Sequence, residues 1–294
     1  MSWLNHKITL TRPDTMNIHN TAIISKKAKI ADNIQVGPYS VIEDNVVIGD
    51  SVKIGSHCLI TGNTVIGKGC EIFTGAVIGS RPQDLKYKGE KSYLEIGEFN
   101  IIREYCTFNP ATKDQAKTII GNHNLFMAYS HVAHDSVVGN NCVIANNGTL
   151  AGHVIIEDNV VIGGLGAVHQ FVRVGKLSII GGCSKVVQDI VPFSTCDGHP
   201  ARVYGLNLIG LKRNKVNRES IEHLKHAFKI LFNSGITVRH AIEKIEELPR
   251  DKEMSYLLQF IKNSHRGISR SCRFKRFGVD KATDTDAYVR NEQS

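Results

Sequence analysis

An apolar residue recurs at every sixth position over most of the first two thirds of this sequence. The series runs Ile18, Ile24, Ile30, Val36, Ile42, Ile48, Ile54, Ile60, Ile66, Ile72, Ile78, then Ile96, Ile102, Phe108, and resumes at Ile120, Phe126, Val132, Val138, Ile144, Leu150, Ile156, Ile162, Val168, Val174, Ile180 and Val186. Only Asp84, Glu90 and Asp114 interrupt it. A period of six matches neither the 3.6-residue period of a helix nor the two-residue alternation of a strand. It matches a mainly β fold, a parallel β-helix with short strands and three six-residue units per triangular coil, successive coils stacking about 4.8 Å apart. A β-sandwich with regular turns would not hold phase from residue 18 to residue 186.

Two other residue types keep the same beat. Glycine follows the apolar residue at positions such as Gly37, Gly49, Gly55, Gly67, Gly97, Gly121, Gly139, Gly163, Gly175 and Gly181. At a tight corner, a positive φ or a close backbone approach excludes a Cβ. Cys58, Cys70, Cys106, Cys142 and Cys196 all stand four places after a multiple of six. Their phase-mates Ala22, Ala28, Ser40, Val52, Thr64 and Ala76 mark a slot for a small, mostly apolar core side chain. The chain has 7 cysteines but no C-x-x-C, so neither a disulfide frame nor a zinc finger is expected.

The chain divides near residue 200. Residues 1–200 hold 17 Lys and Arg against 17 Asp and Glu, whereas residues 201–294 hold 19 against 11. The whole net charge of +8 therefore lies in the last third, while 21 of the 26 glycines lie in the first part. Beyond residue 204 the period becomes helical: Asn217 caps a helix with Ile221, Leu224, Phe228 and Leu231 on one face and Gly235 as its stop. Residues 237–248 and 253–263 read as two more helices. The expected organisation is an extension over 1–15, a β-helix over 16–203, an α-helical domain over 204–270 and a polar, disordered tail over 271–294. With 41% hydrophobic and 22% charged residues a large core is attainable. No apolar run reaches the roughly 18 residues of a membrane span, and no secretory leader is evident, so a cytoplasmic protein without an integral membrane segment is expected. A basic helical domain suits an acidic protein partner better than nucleic acid.

The breaks in the repeat, 80–95 and 110–117, are loops ejected from a rigid solenoid, natural places for ligand contacts. Close to them in the coil stand His131, His134, His153 and His169. On an 18-residue coil, His134, His153 and His169 should line one edge over three successive coils, with Asp135 beside His134. Such a ladder suits general-base chemistry or metal binding. No further ligands stand at convincing spacing, so no metal is expected. No serine nucleophile elbow is present either, which favours direct attack over an acyl-enzyme.

Five segments carry a family resemblance: Pro82-Gln83-Asp84-Leu85-Lys86-Tyr87, the run from His131 to Asp135, the run from Asn146 to Val154, Ala167-Val168-His169-Gln170-Phe171, and the run from Gly205 to Arg213. In these the chain resembles the acyl-carrier-protein:UDP-N-acetylglucosamine O-acyltransferases, which open lipid A synthesis, over roughly residues 16–270. The resemblance implies a left-handed β-helix and a cytoplasmic homotrimer with sites between neighbouring protomers. It implies a 3-hydroxyacyl chain delivered on the phosphopantetheine of acyl carrier protein to the 3-hydroxyl of UDP-N-acetylglucosamine, with no other cofactor.

Residue by residue, it implies His134 as general base, Asp135 as its orienting partner and the Gly152 N–H as oxyanion donor. His131, His153, His169 and Gln170 would position substrate, Gln83, Asp84 and Lys86 would meet the sugar nucleotide, and Asn207 and Arg213 would take its diphosphate end. Gly182 would set acyl-chain length, or be no more than a corner glycine. Asn214 and the Phe108-Asn109-Pro110 turn depart from the family's usual pattern, a basic pair at 213–214 and a His-Arg-Gly turn. Chain length, a 3-amino acceptor and an acyl-CoA donor on a related scaffold therefore stay open.

Overall fold

A computed structural model describes residues 17–271 of the chain. The extension 1–15 and all of the tail beyond Ser271 lie outside the described residues. What is described is a left-handed parallel β-helix followed by a small helical domain. Three sheets form its sides. The first begins at Asn17–Ile18 and has eleven strands, the second begins at Ile23–Ile24 and has nine, and the third begins at Lys29–Ile30 and has eight. Most strands are two residues long, because a six-residue unit must also supply a corner.

Every apolar series residue from Val36 onward is buried, so the sixth-position rule is the inward-facing rule. Burying each such side chain contributes about 1.5–3 kcal/mol. The parallel register holds the stack together: Gln35 pairs with Lys53 and Val143 with Val161. The spacing between successive coils is 18 residues, as between Asn33 and Ser51, but it widens to 30 between Cys70 and Asn100 and to 24 between Thr107 and His131. Both excesses are multiples of six, which is why the two loops leave the phase intact. The first break is shorter than expected, since Tyr93–Ile96 is already a strand with Leu94 and Ile96 buried.

The corners decide between the two causes expected for the glycines and correct the expectation for the small slot. The glycines that follow the apolar residue do not have positive φ, apart from Gly79 at +86°. They are required by close approach: a Cβ on Gly37 would lie 2.7 Å from the Gly55 carbonyl of the next coil. The left-handed residue is two places further on and is seldom glycine. Tyr39, Asn45, His57, Phe99, Tyr105, Tyr129, Asp135 and His153 all adopt it. The aromatic ones among them stack from coil to coil, as do Phe99 on His123 and Tyr105 on Tyr129, both 5.2 Å between centroids.

The small slot is also less apolar than expected. Ser40, Thr64, Asn100, Asn124, Ser130, Ser136, Ser178 and Ser184 fill it while fully buried. It faces corner carbonyls of the next coil. The Ser40 hydroxyl donates to the Gly55 carbonyl at 2.7 Å, and the Asn100 amide to the Gly121 carbonyl at 2.8 Å. Cysteine fits because its thiol can donate there too, Cys142 to the Glu157 carbonyl at 3.0 Å. Burial then pushes the Cys142 thiol up to about 12. Of the described cysteines only Cys183 is exposed.

The division near residue 203 falls inside a β-hairpin, Ser194–Gly198 paired antiparallel with Ala201–Leu206. Four helices follow: α1 (Leu208–Arg213), α2 (Arg218–Asn233), α3 (Val238–Glu246) and α4 (Lys252–Lys262). The last three match the expected helices. Asn217 caps α2 through the Ser220 N–H, and Ile221, Leu224, Phe228 and Leu231 are all buried. The helical part is fastened to the coil. Glu157 accepts from Arg173 and from the Tyr256 hydroxyl, and the Arg173 guanidinium lies 4.5 Å from the Phe260 ring centroid.

Candidate active site

The three corners of the coil form three edges, and the one between the second and third sheets differs from the others. Both ejected loops leave from it, the first between Val77–Ile78 and Tyr93–Ile96, the second between Thr107–Phe108 and Lys117–Ile120. The corner residues of the next coils along it are His134, Asp135, Gly152, His153, Gln170 and Phe171. This edge gathers the titratable groups.

At its centre the His134 Nδ1 lies 2.8 Å from the Asp135 Oδ2. Both side chains are nearly covered, with 11% and 10% exposure. Asp135 sits at the left-handed corner position, φ 59°, where its N–H donates to the Thr118 hydroxyl at 2.8 Å. Its carboxylate also accepts from the Thr112 hydroxyl at 2.7 Å and from the Thr112 N–H at 3.2 Å. Burial raises its pKa, but the donors from Thr112 and His134 outweigh that and hold the carboxyl below its usual range. An ionised carboxylate only accepts, so the imidazole must keep its proton on Nδ1. That leaves Nε2 for an incoming group.

Gly152 lies one coil on, against the His134 ring. A Cβ there would fall 2.5 Å from Cε1 and 2.6 Å from Nε2 of His134, so only glycine allows this contact. Among the described residues nothing accepts a hydrogen bond from the Gly152 N–H. His153 meets the His134 ring edge to face at 5.3 Å and lies 3.6 Å from the Asp135 Oδ2. Burial lowers the His153 pKa; Asp135 and Asp84 oppose this, while His134 and Lys113 add to it. These influences bring Asp84 and Lys113, one from each loop, into range of the site. His131 bonds the Thr107 hydroxyl at 2.7 Å, and burial pushes its pKa down, which favours the neutral ring.

The expected ladder of three histidines is thus a cluster. His134 heads the column Gly152 and Gln170, His153 stacks on Phe171 at 4.6 Å, and His169 stands in a third column, exposed, with its Nδ1 on the Gln170 carbonyl at 3.1 Å. The place beside His153 expected for His169 is held by Phe171, whose left-handed corner position aims it along the edge. Ligand atoms of His134, Asp135 and His153 all lie within 4.8 Å of one another. The coil arithmetic had brought all three to this edge, together with His169, which stands apart.

Other expected site residues are dispersed. Gln83 and Lys86 are exposed on the first loop, where Asp84 forms a tight turn by accepting from the Lys86 N–H at 2.9 Å. Asn207 caps α1: its Oδ1 accepts from the Gly210 N–H and its Nδ2 donates to the Leu177 carbonyl, both at 2.8 Å. Its amide is spent on joining the helical domain to the edge between the third and first sheets. Arg213 is exposed in the last turn of α1, and Asn214 caps that helix's end. Gly182 stands on the edge between the first and second sheets. There Gly181 is the crowded glycine, a Cβ meeting Asp197 at 2.6 Å, whereas one on Gly182 would meet only the Gly164 carbonyl at 3.3 Å.

Sequence reasoning missed Thr112, Asn109 and Phe171. Asn109 is buried and its Nδ2 donates to the Ser80 carbonyl at 3.0 Å, which pins the base of the first loop; its Oδ1 has no partner among the described residues. The signal for Thr112 was only that a hydrophilic loop must end near the coil position of His134.

Comparison with known proteins bears on this edge. A family model described as Udp N-acetylglucosamine O-acyltransferase, domain 2, matches residues 189–269, and the bacterial transferase hexapeptide model matches 27–62 and 117–152. The chain is 48% identical, over 86% of its length and 97% of the other, to the acyl-[acyl-carrier-protein]--UDP-N-acetylglucosamine O-acyltransferase of Aliarcobacter butzleri. It is 52% identical to the enzyme so named in Sulfurihydrogenibium, over 86% of this chain and 94% of that one. Among solved structures, LpxA from Acinetobacter baumannii superposes with a TM-score of 0.83 at 43% identity, covering 86% of this chain and 99% of that one. No helix among the described residues is long and apolar enough to cross a membrane.

Proposed function

The chain belongs to the UDP-N-acetylglucosamine O-acyltransferase family, and from that premise we propose a general-base acyl transfer at the edge that holds His134 and Asp135. The enzyme moves an acyl chain from acyl carrier protein to UDP-N-acetylglucosamine, the first step of lipid A synthesis. The observation that carries the proposed chemistry is the His134–Asp135 pair at 2.8 Å with the Gly152 backbone packed on the imidazole.

The His134 Nε2 takes the proton of the sugar 3-hydroxyl as its oxygen attacks the carbonyl carbon of a 3-hydroxyacyl thioester. The new C–O bond forms, the oxyanion is met by the Gly152 N–H, and the C–S bond then breaks. The proton on Nε2 goes to the departing sulfur, so the base is regenerated. Asp135 holds the Nδ1–H tautomer and stabilises the transient imidazolium. A positioned base contributes about 10²–10⁴-fold and an oxyanion donor about 10²–10³-fold. His131, His153, His169 and Gln170 line the acceptor's approach, and Gln83, Asp84 and Lys86 meet the sugar nucleotide from the first loop.

The assembly is a homotrimer in the cytoplasm, with each site completed by a neighbouring protomer. This explains how Gly182, on another edge of its own coil, and Asn207 and Arg213, at the two ends of α1, can serve the acyl chain and the nucleotide, Asn207 by holding α1 in place because its amide is already spent. Gly182 leaves room along that edge for the chain. No cofactor is used apart from the phosphopantetheine of the carrier protein. The test is a grid of 3-hydroxyacyl carrier-protein donors of several lengths, with acyl-CoA beside them, against UDP-N-acetylglucosamine and its 3-amino analogue. Carrier-protein donors and the hydroxyl acceptor should give the highest kcat/KM. A preference for the amino acceptor, or for acyl-CoA, would overturn the assignment.

A further inference from the structure

The second loop spans the gap between Thr107–Phe108 and Lys117–Ile120 and brings one hydroxyl to the catalytic pair. Thr112 contacts Asp135 three ways: its hydroxyl reaches Oδ2 at 2.7 Å, and its N–H reaches Oδ2 at 3.2 Å and Oδ1 at 3.3 Å. The same Oδ2 takes the His134 Nδ1 at 2.8 Å. Asp135 leaves its coil at a left-handed corner, and the Thr118 hydroxyl holds only its backbone N–H. Among the described residues, without Thr112 only the imidazole itself and His153, 3.6 Å away, would fix where the carboxylate points.

From this geometry we propose that Thr112 is a positioning residue for acyl transfer, acting through Asp135 to hold His134 with its proton on Nδ1 and Nε2 toward the acceptor. This rests on the general-base reading of His134. Two donors on one oxygen make that oxygen an acceptor toward the ring, so the wrong tautomer would cost a hydrogen bond to a buried ionised group. The contact also ties loop to base: the second loop must be seated for His134 to be aimed. Thr112 therefore serves turnover more than binding.

The experiment is a set of steady-state measurements on the full-length enzyme with Thr112→Val, Thr112→Ser, Asp135→Ala and the Thr112→Val/Asp135→Ala double variant. Thr112→Val keeps the side chain's shape and loses the hydroxyl. It should lower kcat by roughly 10- to 100-fold, the scale of a misaimed catalytic group, with KM within about twofold. Thr112→Ser should recover most of the rate. In the Asp135→Ala background, Thr112→Val should change nothing further, because its effect runs through the missing carboxylate. If Thr112→Val folds poorly by thermal unfolding, the Thr112→Ala variant carries the same comparison. A normal kcat in Thr112→Val, an effect confined to KM, or an undiminished loss in the Asp135→Ala background would overturn the proposal. Full activity in His134→Ala would instead overturn the general-base reading on which it rests, so the two failures are separable.

Discussion

Two edges of the coil use the same positions in the repeat for opposite ends. On the edge between the third and first sheets, the left-handed corner positions carry Phe99 and His123, which stack at 5.2 Å, and just inside them Asn100 and Asn124 bond coil to coil. On the edge between the second and third sheets, the same corner positions carry Asp135, His153 and Phe171. His123 and His153 are thus both corner histidines stacked on a phenylalanine, yet only His153 lies beside a carboxylate, 3.6 Å from Asp135. A histidine at a corner is a stacking residue by default. It enters chemistry where an adjoining column supplies a buried acceptor and a loop covers it, as Thr112 does for Asp135.

The sharpest way to break this contrast is at Gly152. Gly152→Ala puts a Cβ within 2.6 Å of the His134 Nε2 and displaces either the ring or the backbone N–H behind it. Activity should fall by about 10²-fold, the scale of a lost oxyanion donor, with the thermal midpoint little changed. A rate within threefold of the parent would dissolve the special standing of this edge. On the quiet edge, Phe99→Ala should do the reverse: stability falls by about 1 kcal/mol as the His123 stack is lost, and kcat stays within about twofold. A large drop in kcat there would mean that both edges take part in catalysis.

The smallest effect is electrostatic. Burial lowers the pKa of His131 and His153 from the ordinary value near 6.5, so the unfolded chain binds protons that the native state refuses. Their neutral forms therefore cost no stability above pH 6.5, and stability declines as pH falls through that value. His131→Gln should flatten part of the slope in denaturant midpoint between about pH 6.5 and 5. An unchanged slope would assign it to other groups.

Much of this was legible in the sequence because a solenoid repeats its physics. The sixth-position series marked the inward residues, and Asn217, Gly235 and the apolar face between them marked α2. The coil arithmetic brought His134 and His153 to one edge. It could not say that corner residues one place apart belong to different columns, and so it gave His169 the place that Phe171 holds. Nor could it give the hairpin at 194–206, whose antiparallel pairing closes the coil and leaves the period behind. Loop contacts were beyond it for a plainer reason: Thr112 and Asn109 act through geometry that no repeat dictates. The glycine rule held in place, and of its two expected causes crowding between coils, as at Gly37, and not left-handed backbone, demands most of those glycines.

Catalysis turns on His134, buried beside Asp135 with its Nε2 left for substrate. The most direct measurement is kcat/KM of purified His134→Ala for transfer from 3-hydroxyacyl carrier protein to UDP-N-acetylglucosamine, alongside its oligomeric state and melting temperature. A loss of about 10³-fold or more is expected, with assembly and fold unchanged. A folded variant that retains a near-normal rate would contradict it.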